Sequence, residues 1–188
     1  AVLCHNTPIF FALLFACAKA GLILVPLNWR QTASELAPIL ADCTASLLLH
    51  DGATSSLAEV LAGETGIERL TFVQCERLAI AVLPRQDRPT TWSTDRVWYL
   101  LYTSGTTGKP KAVIQTPGMA LANYINVQQA TGLGPQDATV NYLPLFHTFG
   151  RFLEMMGCVF WGATYCLLDN PSLEALLAGM RRWRPTVF

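Results

Sequence analysis

Short apolar runs alternate along this chain with longer segments in which apolar residues recur at helical spacing. The runs have the length of buried strands, as in "LILV", "ASLLLH", "RLTFV", "WYLLYT" and "ATYCLL". The longer segments are typical of amphipathic helices, as in "TASELAPILADC", "SSLAEVLA", "FLEMMGCVFW" and "SLEALLAGMRRW". Because strands that alternate with helices are typical of an α/β fold, the sequence predicts mainly parallel sheets with flanking helices.

Local signals predict the ends of the first two helices. Thr7 followed by Pro8 predicts an N-cap and a first helical position, and Gly21 predicts the end of that helix. Thr32 lies three residues before Glu35, which predicts a capping box at the start of the next helix.

A polar stretch divides the chain near its middle. Residues from about Pro84 to Arg96, "PRQDRPTTWSTDR", carry two prolines, which predicts a linker-like surface loop. Beyond it, "AVIQ" and "ATVNYLPLF" are predicted strands, and a helix is predicted from about Pro117 to Ala130. No internal repeat is present, so residues 1–188 are expected to belong to a single domain.

Composition and charge exclude several classes of protein. Hydrophobic residues make up 52% of the chain and charged residues 14%, which indicates a well-buried globular domain rather than disorder. The formal net charge is zero, so no overall field attracts nucleic acid. The apolar segment 8–27 is interrupted by Lys19 and Gly21, so no transmembrane helix is predicted, although peripheral membrane contact stays open.

The six cysteines are scattered and form no C-x-x-C pair, so they fit neither a zinc site nor a dense disulfide framework. We expect reduced, buried thiols in a cytoplasmic protein. The three histidines are too dispersed for a metal cluster, and no metal ligand is assigned. No basic stretch precedes the apolar segment, so no signal peptide is predicted.

One stretch, "YTSGTTGKPK", has the composition of a phosphate-binding loop. Backbone N–H groups in a glycine-rich turn can converge on an anion, because glycine permits the positive φ angles of such a nest. Hydroxyl groups and two of the chain's three lysines add donors and charge: Thr103, Ser104, Thr106, Thr107, Lys109 and Lys111. A strand-like run follows where a P-loop would have a helix, so the stretch is not a P-loop. The alternative is a solvent-exposed hairpin turn.

The same stretch resembles the signature loop of the adenylate-forming (AMP-binding) superfamily, which includes acyl-CoA synthetases, luciferases and the adenylation domains of peptide synthetases. Ten residues of mixed chemistry carry this resemblance. Other segments are similar to passages of the same family along nearly the whole chain: "AKAGLILVPLNWR", "LPLFHTFG" and "RRWRPTVF". The resemblance implies part of the large N-terminal domain of an adenylate-forming enzyme, most like an acyl-CoA synthetase.

The resemblance also implies a two-step reaction that uses ATP, Mg²⁺ and coenzyme A. A carboxylate attacks the α-phosphate of Mg·ATP, which gives an acyl-adenylate and pyrophosphate, and a thiol then takes the acyl group. Carried over residue by residue, the β- and γ-phosphates would be held by Thr103, Ser104, Gly105, Thr106, Thr107, Gly108 and Lys109, with Lys111 close by. Cations and N–H groups there would stabilise the departing pyrophosphate.

His147 is the candidate catalytic residue. The resemblance implies a place beside the acyl and pantetheine channel, and the alternative is a loop histidine packed between Phe146 and Phe149. "LFHTFG" contains no acid to pair with the ammonium group of an amino acid. The predicted substrate is therefore a fatty or other acyl acid with an uncharged tail.

Several motifs of the family are missing from the chain. They are the Tyr-Gly-x-Thr-Glu segment whose Glu helps to hold magnesium, the ribose-binding Asp, and the catalytic Lys of the small C-terminal lid domain. We therefore expect a fragment of one AMP-binding domain, without the lid and inactive alone. Two other functions stay open, an amino-acid adenylation domain and a non-catalytic nucleotide-binding remnant. The expected partners are small molecules, and no oligomeric state is predicted.

Overall fold

The computed structural model describes residues 1–82, 93–104, 109–168 and 172–188, so most of the predicted linker at 84–96 lies outside the described residues. The strands are β1 (Val2–Leu3), β2 (Leu47–His50), β3 (Glu68–Thr71), β4 (Tyr99–Ser104), β5 (Pro110–Gln115), β6 (Ala138–Asn141) and β7 (Thr164–Leu167). The α-helices are α1 (Pro8–Ala20), α2 (Ala33–Asp42), α3 (Ser55–Thr65), α4 (Phe72–Val82), α5 (Pro117–Thr131), α6 (Met156–Trp161) and α7 (Leu173–Trp183). A π-helix, Phe149–Met155, leads directly into α6.

The first sheet joins segments that lie far apart in the chain. β2 pairs in parallel with both β1 and β3. Residues 24–26 lie between β1 and β4, through single parallel bridges from Val2 to Pro26 and from Leu24 to Tyr99. β5 then pairs antiparallel with β4. The order across the sheet is therefore β3, β2, β1, residues 24–26, β4 and β5.

Side chains of this sheet alternate between its two faces, and each face packs on its own core. Val2 and Leu24 belong to the first core, which lies against α1, α5, the π-helix and α6. Leu3 and Val25 belong to the second core, which lies against α2 and α3. Helices therefore cover both faces of a mainly parallel sheet, as the sequence predicts.

A second, smaller sheet lies after α5. β6 and β7 pair in parallel, with Ala138 opposite Thr164. Val187 adds one parallel bridge to Thr139. Met155 and Met156 join the first core between the two sheets.

The predicted ends of the first two helices are confirmed. The Thr7 side chain accepts a hydrogen bond from the N–H of Ile9 at the start of α1, and Gly21 ends the helix with a φ of 77°. At the start of α2, the Glu35 carboxylate accepts the N–H of Thr32 at 2.8 Å. Within the described residues, no helix has the length and apolarity needed to cross a bilayer.

Four predicted elements differ from the structure. The predicted strand "LILV" forms an isolated bridge from Leu24 to Tyr99 rather than a named strand. The sequence predicts "RLTFV" as a strand, but β3 ends at Thr71 and Phe72 opens α4, where its side chain still packs in the first core. "ATVNYLPLF" is a strand only through Asn141, because the following residues form the loop before the π-helix. "FLEMMGCVFW" is helical, but its first turns are π-helical, a distinction that apolar spacing does not encode.

Gly150, in the first turn of the π-helix, lies in close contact with the preceding loop. A Cβ at this position would lie 2.7 Å from the carbonyl oxygen of Pro144 and 3.0 Å from the Cβ of Leu143. We therefore expect Gly150→Ala to lower the free energy of unfolding by about 1–3 kcal/mol through overpacking. Urea unfolding of the full-length protein measures this change.

The matched control is Gly63→Ala in α3, where nothing lies within 4 Å of the added methyl group. There we expect a gain of about 1 kcal/mol, because alanine favours a helix interior over glycine. Equal effects of the two substitutions would contradict the close approach at Gly150.

Candidate functional site

The predicted phosphate loop connects two antiparallel strands. β4 and β5 form a hairpin in which Ser104 lies opposite Pro110 and Thr103 lies opposite Lys111. Directly opposite residues present their side chains on the same face, so Thr103 and Lys111 form a cross-strand pair. The strand β5 follows the loop, as predicted.

The structure describes only part of the predicted phosphate-binding set. Thr103, Lys109 and Lys111 are exposed to solvent at the end of the hairpin. Gly105, Thr106, Thr107 and Gly108 lie outside the described residues, and so does the side-chain environment of Ser104. The hairpin thus fixes where the loop begins and ends.

A cleft of about 280 Å³ joins the end of β4 to the loop that contains His147. We call it the Thr103–His147 cleft, and its walls are Pro26, Leu27, Asn28, Gln31, Ile39, Leu101, Tyr102, Thr103, Phe146, His147 and Thr148. The fold thereby brings together two of the residues that the sequence analysis singled out, although 44 positions separate them in the chain.

The His147 ring lies at the surface of this cleft. Its Nδ1 accepts the backbone N–H of Phe149 at 3.3 Å, so the neutral ring carries its proton on Nε2. His147 and Phe149 are both exposed, which argues against a histidine packed between two phenylalanines. The imidazole is therefore available to a ligand in the cleft.

An aromatic group supports the neighbouring Phe146. The Trp29 ring lies between His5, at 4.2 Å, and Phe146, at 6.5 Å between ring centroids. The Arg30 guanidinium covers the Trp29 ring at 4.9 Å. Asp51 accepts the backbone N–H of His5 at 2.8 Å, so this group is tied to the end of β2.

Tyr102, on the other wall, is held by α2. Its hydroxyl donates to the Asp42 carboxylate at the end of that helix. Desolvation, together with this hydrogen bond, raises the pKa of Tyr102 above its ordinary value. The phenol is therefore a neutral donor that fixes the β4 strand next to Thr103.

Buried polar side chains hold the loop before His147 from the interior. Asn6 Nδ2 donates to Asn141 Oδ1 and to the carbonyl of Leu143, each at 2.9 Å, and Asn6 Oδ1 accepts the N–H of Leu145 at 3.0 Å. Asn141 Nδ2 in turn donates to Glu154 at 2.8 Å.

Arg151 completes this arrangement from the π-helix. Its Nη1 donates to the Leu145 carbonyl at 2.9 Å, and its guanidinium lies 4.4 Å from the centroid of the Tyr99 ring. Burial lowers the pKa of Arg151 from its ordinary value. Burial also raises the pKa of the Glu154 carboxyl, and the Asn141 hydrogen bond opposes that shift.

Sequence reasoning did not single out Asn28 and Gln31 in the cleft, or Asn6 and Arg151 behind it. The available signals were a polar residue between a buried strand and a helix cap at Asn6, and a charged residue inside an apolar helix at Arg151. Neither pattern shows what the side chain contacts. The partners of Asn6 lie 135 to 139 positions away, and Arg151 combines a bond to Leu145, six positions before it, with a contact to the distant Tyr99 ring.

Comparison with known proteins agrees with this geometry. The family model described as AMP-binding enzyme matches residues 1–188. The chain belongs to this family. Among AMP-binding enzymes, a feruloyl-CoA synthase from Amycolatopsis is 34% identical over 97% of this chain. An indoleacetate–CoA ligase from Aromatoleum aromaticum is 31% identical over 100% of it.

A solved structure of an adenylate-forming enzyme shares the fold. It is the o-succinylbenzoate CoA synthetase of Bacillus subtilis in complex with its acyl-adenylate intermediate, with a TM-score of 0.85 and 26% identity. The match covers 99% of this chain and 47% of that structure. The chain spans 36% of the feruloyl-CoA synthase and 38% of the indoleacetate–CoA ligase.

The buried Glu154 predicts a specific pH dependence of stability. Because its pKa is raised in the folded state, the folded protein binds more protons than the unfolded chain between the unfolded value of about 4.3 and the folded value. Stability is therefore lost as pH rises through this window. Glu154→Gln keeps an acceptor for Asn141 and removes the titration, so we expect its stability relative to wild type to increase with pH there.

Thermal unfolding of the full-length protein between pH 4 and pH 8 provides the measurement. Glu64→Gln, at an exposed position of α3, controls for the general effect of removing one carboxylate. If the Glu154→Gln and wild-type profiles run parallel, the raised pKa is wrong.

Proposed function

We propose that the full-length protein uses ATP to activate a carboxylic acid and then transfers the acyl group to coenzyme A. The observation that carries this proposal is the Thr103–His147 cleft, which joins the hairpin that carries the predicted phosphate loop to the loop that contains His147, within a fold shared with adenylate-forming enzymes. The cytoplasm, where ATP and coenzyme A are available, is the proposed compartment.

In the first step, the β4–β5 hairpin would hold the polyphosphate of Mg·ATP. A carboxylate oxygen of the substrate attacks the α-phosphorus, and the bond to the bridging oxygen breaks to release pyrophosphate. Thr103 would donate from β4, and Lys109, directly before β5, and Lys111, in β5, would supply positive charge where the leaving group gains negative charge. The remaining loop residues, Ser104 through Gly108, complete the proposed set.

Mg²⁺ enters this proposal as part of the Mg·ATP substrate. The described residues contain no group of three His, Cys, Asp or Glu side chains that could hold a metal ion. No step is therefore assigned to a metal ligand of this chain.

In the second step, His147 would line the channel through which the acyl-adenylate meets the thiol. The thiol loses its proton to solvent, its sulfur attacks the acyl carbon, and AMP leaves with the electron pair of the acyl–oxygen bond. With Nδ1 occupied by the Phe149 N–H, the Nε2 proton of His147 is available to the substrate oxygens.

An apolar cavity of about 220 Å³ beside the π-helix favours an uncharged acyl tail. Its walls include Val127, Leu133, Phe149, Leu153 and Trp161. The two carboxyl groups in the wall already have partners within the protein. Asp137 accepts from Gly134 N and Thr186 Oγ1, and Glu154 accepts from Asn141.

Both carboxyl groups are already engaged within the protein, and the named wall residues are apolar, so we assign a fatty or aryl-substituted acid rather than an amino acid. The printed names of the relatives, feruloyl-CoA synthase and indoleacetate–CoA ligase, support aromatic tails within this class.

Lys109→Ala tests the hairpin assignment. We expect ATP–pyrophosphate exchange to fall by about 10²-fold, because a cation is removed from the charge that develops on the leaving group. The exchange assay is run on the full-length protein with ferulate, indole-3-acetate, decanoate and phenylalanine as alternative acids. We expect exchange with uncharged-tail acids and none with phenylalanine.

Lys19→Ala is the matched control, because Lys19 is an exposed lysine in the last turn of α1. Equal exchange in Lys109→Ala and Lys19→Ala would refute the phosphate role of the hairpin. Exchange that responds only to phenylalanine would favour the amino-acid alternative, and no exchange with any acid would favour the non-catalytic one.

His147→Ala separates the two half-reactions. We expect thioester formation to fall by about 10²–10³-fold, the range for loss of one hydrogen-bond donor to a developing oxyanion, while pyrophosphate exchange changes much less. Single-turnover formation of acyl-CoA from preformed acyl-adenylate is the measurement. Equal loss in both half-reactions would contradict a role for His147 on the acyl-transfer side.

A further inference from the structure

The loop from Leu143 to His147 is attached to the protein interior on two sides. Asn6, which is 7% exposed, bonds the backbone of Leu143 and Leu145 from the end of β1. Arg151, which is 0% exposed, bonds the Leu145 carbonyl from the π-helix. His147 follows Leu145 by two residues, so both attachments end directly before it.

Burial of the Arg151 side chain in this position is unfavourable in free energy. None of the ion pairs in the described part of the chain involves Arg151, and its Nε and Nη2 have no hydrogen-bond partner there. Within the described residues, its Nη1 donates to the Leu145 carbonyl, and its guanidinium lies against the Tyr99 ring. A buried charge without an acidic partner is strongly unfavourable, and an apolar side chain would fill this core at lower cost.

The backbone around Arg151 strengthens the same connection. The Arg151 N–H donates to the His147 carbonyl at 3.1 Å, and the His147 N–H donates to the Pro144 carbonyl at 3.0 Å. Arg151 is thus tied to the loop through both its side chain and its main chain. A shift of the guanidinium would move Leu145 and His147 together.

We propose that Asn6 and Arg151 are positioning residues that fix His147 against Thr103 across the cleft. Neither side chain lines that cleft, so both act through the loop. This role rests on the proposed function of His147 in acyl transfer. The β4–β5 hairpin forms the opposite wall, and Arg151 contacts it at Tyr99, the first residue of β4 and four positions before Thr103. A change at Arg151 should therefore disturb ATP binding much less than it disturbs His147.

The test compares Arg151→Met and Arg151→Lys in the full-length protein. Tyr124→Phe is the matched control, because it removes a buried hydroxyl from the same core that has no hydrogen-bond partner in the described residues. Two readouts need no catalytic activity. The first is the rate at which diethyl pyrocarbonate modifies His147, measured on the proteolytic peptide that contains this residue. The second is the rate of amide hydrogen exchange over residues 143–148.

We expect both rates to rise several-fold in Arg151→Met and to stay at wild-type values in Tyr124→Phe. Arg151→Lys keeps a charged donor and should restore most of the protection. In the activity readout, kcat for thioester formation should fall by up to about 10²-fold in Arg151→Met, the cost of a misplacement of about 1 Å, while KM for ATP changes much less.

Wild-type His147 reactivity and amide exchange in a folded Arg151→Met protein would overturn the proposal. If that variant does not fold, Asn6→Ala provides the test, because it removes the second attachment of the loop. Raised His147 reactivity in Asn6→Ala would support the proposal, and wild-type reactivity would overturn it. A wild-type protein that activates no acid would refute the proposed function, while the modification and exchange rates would still test the positioning role.

Discussion

The buried hydrogen bond between the side chains of Asn6 and Asn141 is the contact on which the candidate site depends. It joins the two sheets at 2.9 Å, because Asn6 follows β1 of the first sheet and Asn141 ends β6 of the second. A buried amide left without a partner costs about 1–3 kcal/mol, so the two sheets are held in one relative position. Ligands of α/β folds bind at the carboxyl ends of parallel strands, which is where this contact lies.

The two walls of the cleft are stabilised by different physics. The His147 wall rests on buried hydrogen bonds and on a guanidinium that is fully desolvated. The Thr103 wall is a hairpin with exposed lysines at Lys109 and Lys111. Charges in water interact weakly until a ligand excludes solvent around them. One wall is therefore preformed, and the other gains its electrostatic strength from the phosphate that it would bind.

Local patterns predicted most of the fold because they report local physics. The cap at Thr7, the stop at Gly21 and the capping box at Thr32 depend on groups only a few residues apart. The attachment of the loop before His147 to Asn6 and Arg151 could not be predicted in this way. Asn6 and Leu145 meet where the two sheets contact each other, and no rule of sequence spacing links these two residues. The π-helix was not predicted for a different reason: its apolar spacing fits an α-helix equally well.

The residue types of the candidate site could be predicted from the sequence, but the arrangement of these residues in space could not. The residue types of "TSGTTGKPK" predict phosphate binding, and the resemblance of "LPLFHTFG" to a family passage makes His147 a candidate site residue. That Thr103 and His147 line one cleft follows only from the parallel order of segments across the first sheet and from the contact between the sheets.

The bond from the Leu145 N–H to Asn6 also has a kinetic consequence. It spans 139 positions of the chain, and contacts of such separation form late because the entropy of closing a long loop must first be overcome. The Asn6 side chain can reach its partners only when β6 and the following loop are in place, because those partners are Asn141, Leu143 and Leu145. A molecule in which these segments have not yet met lacks this attachment of the loop before His147.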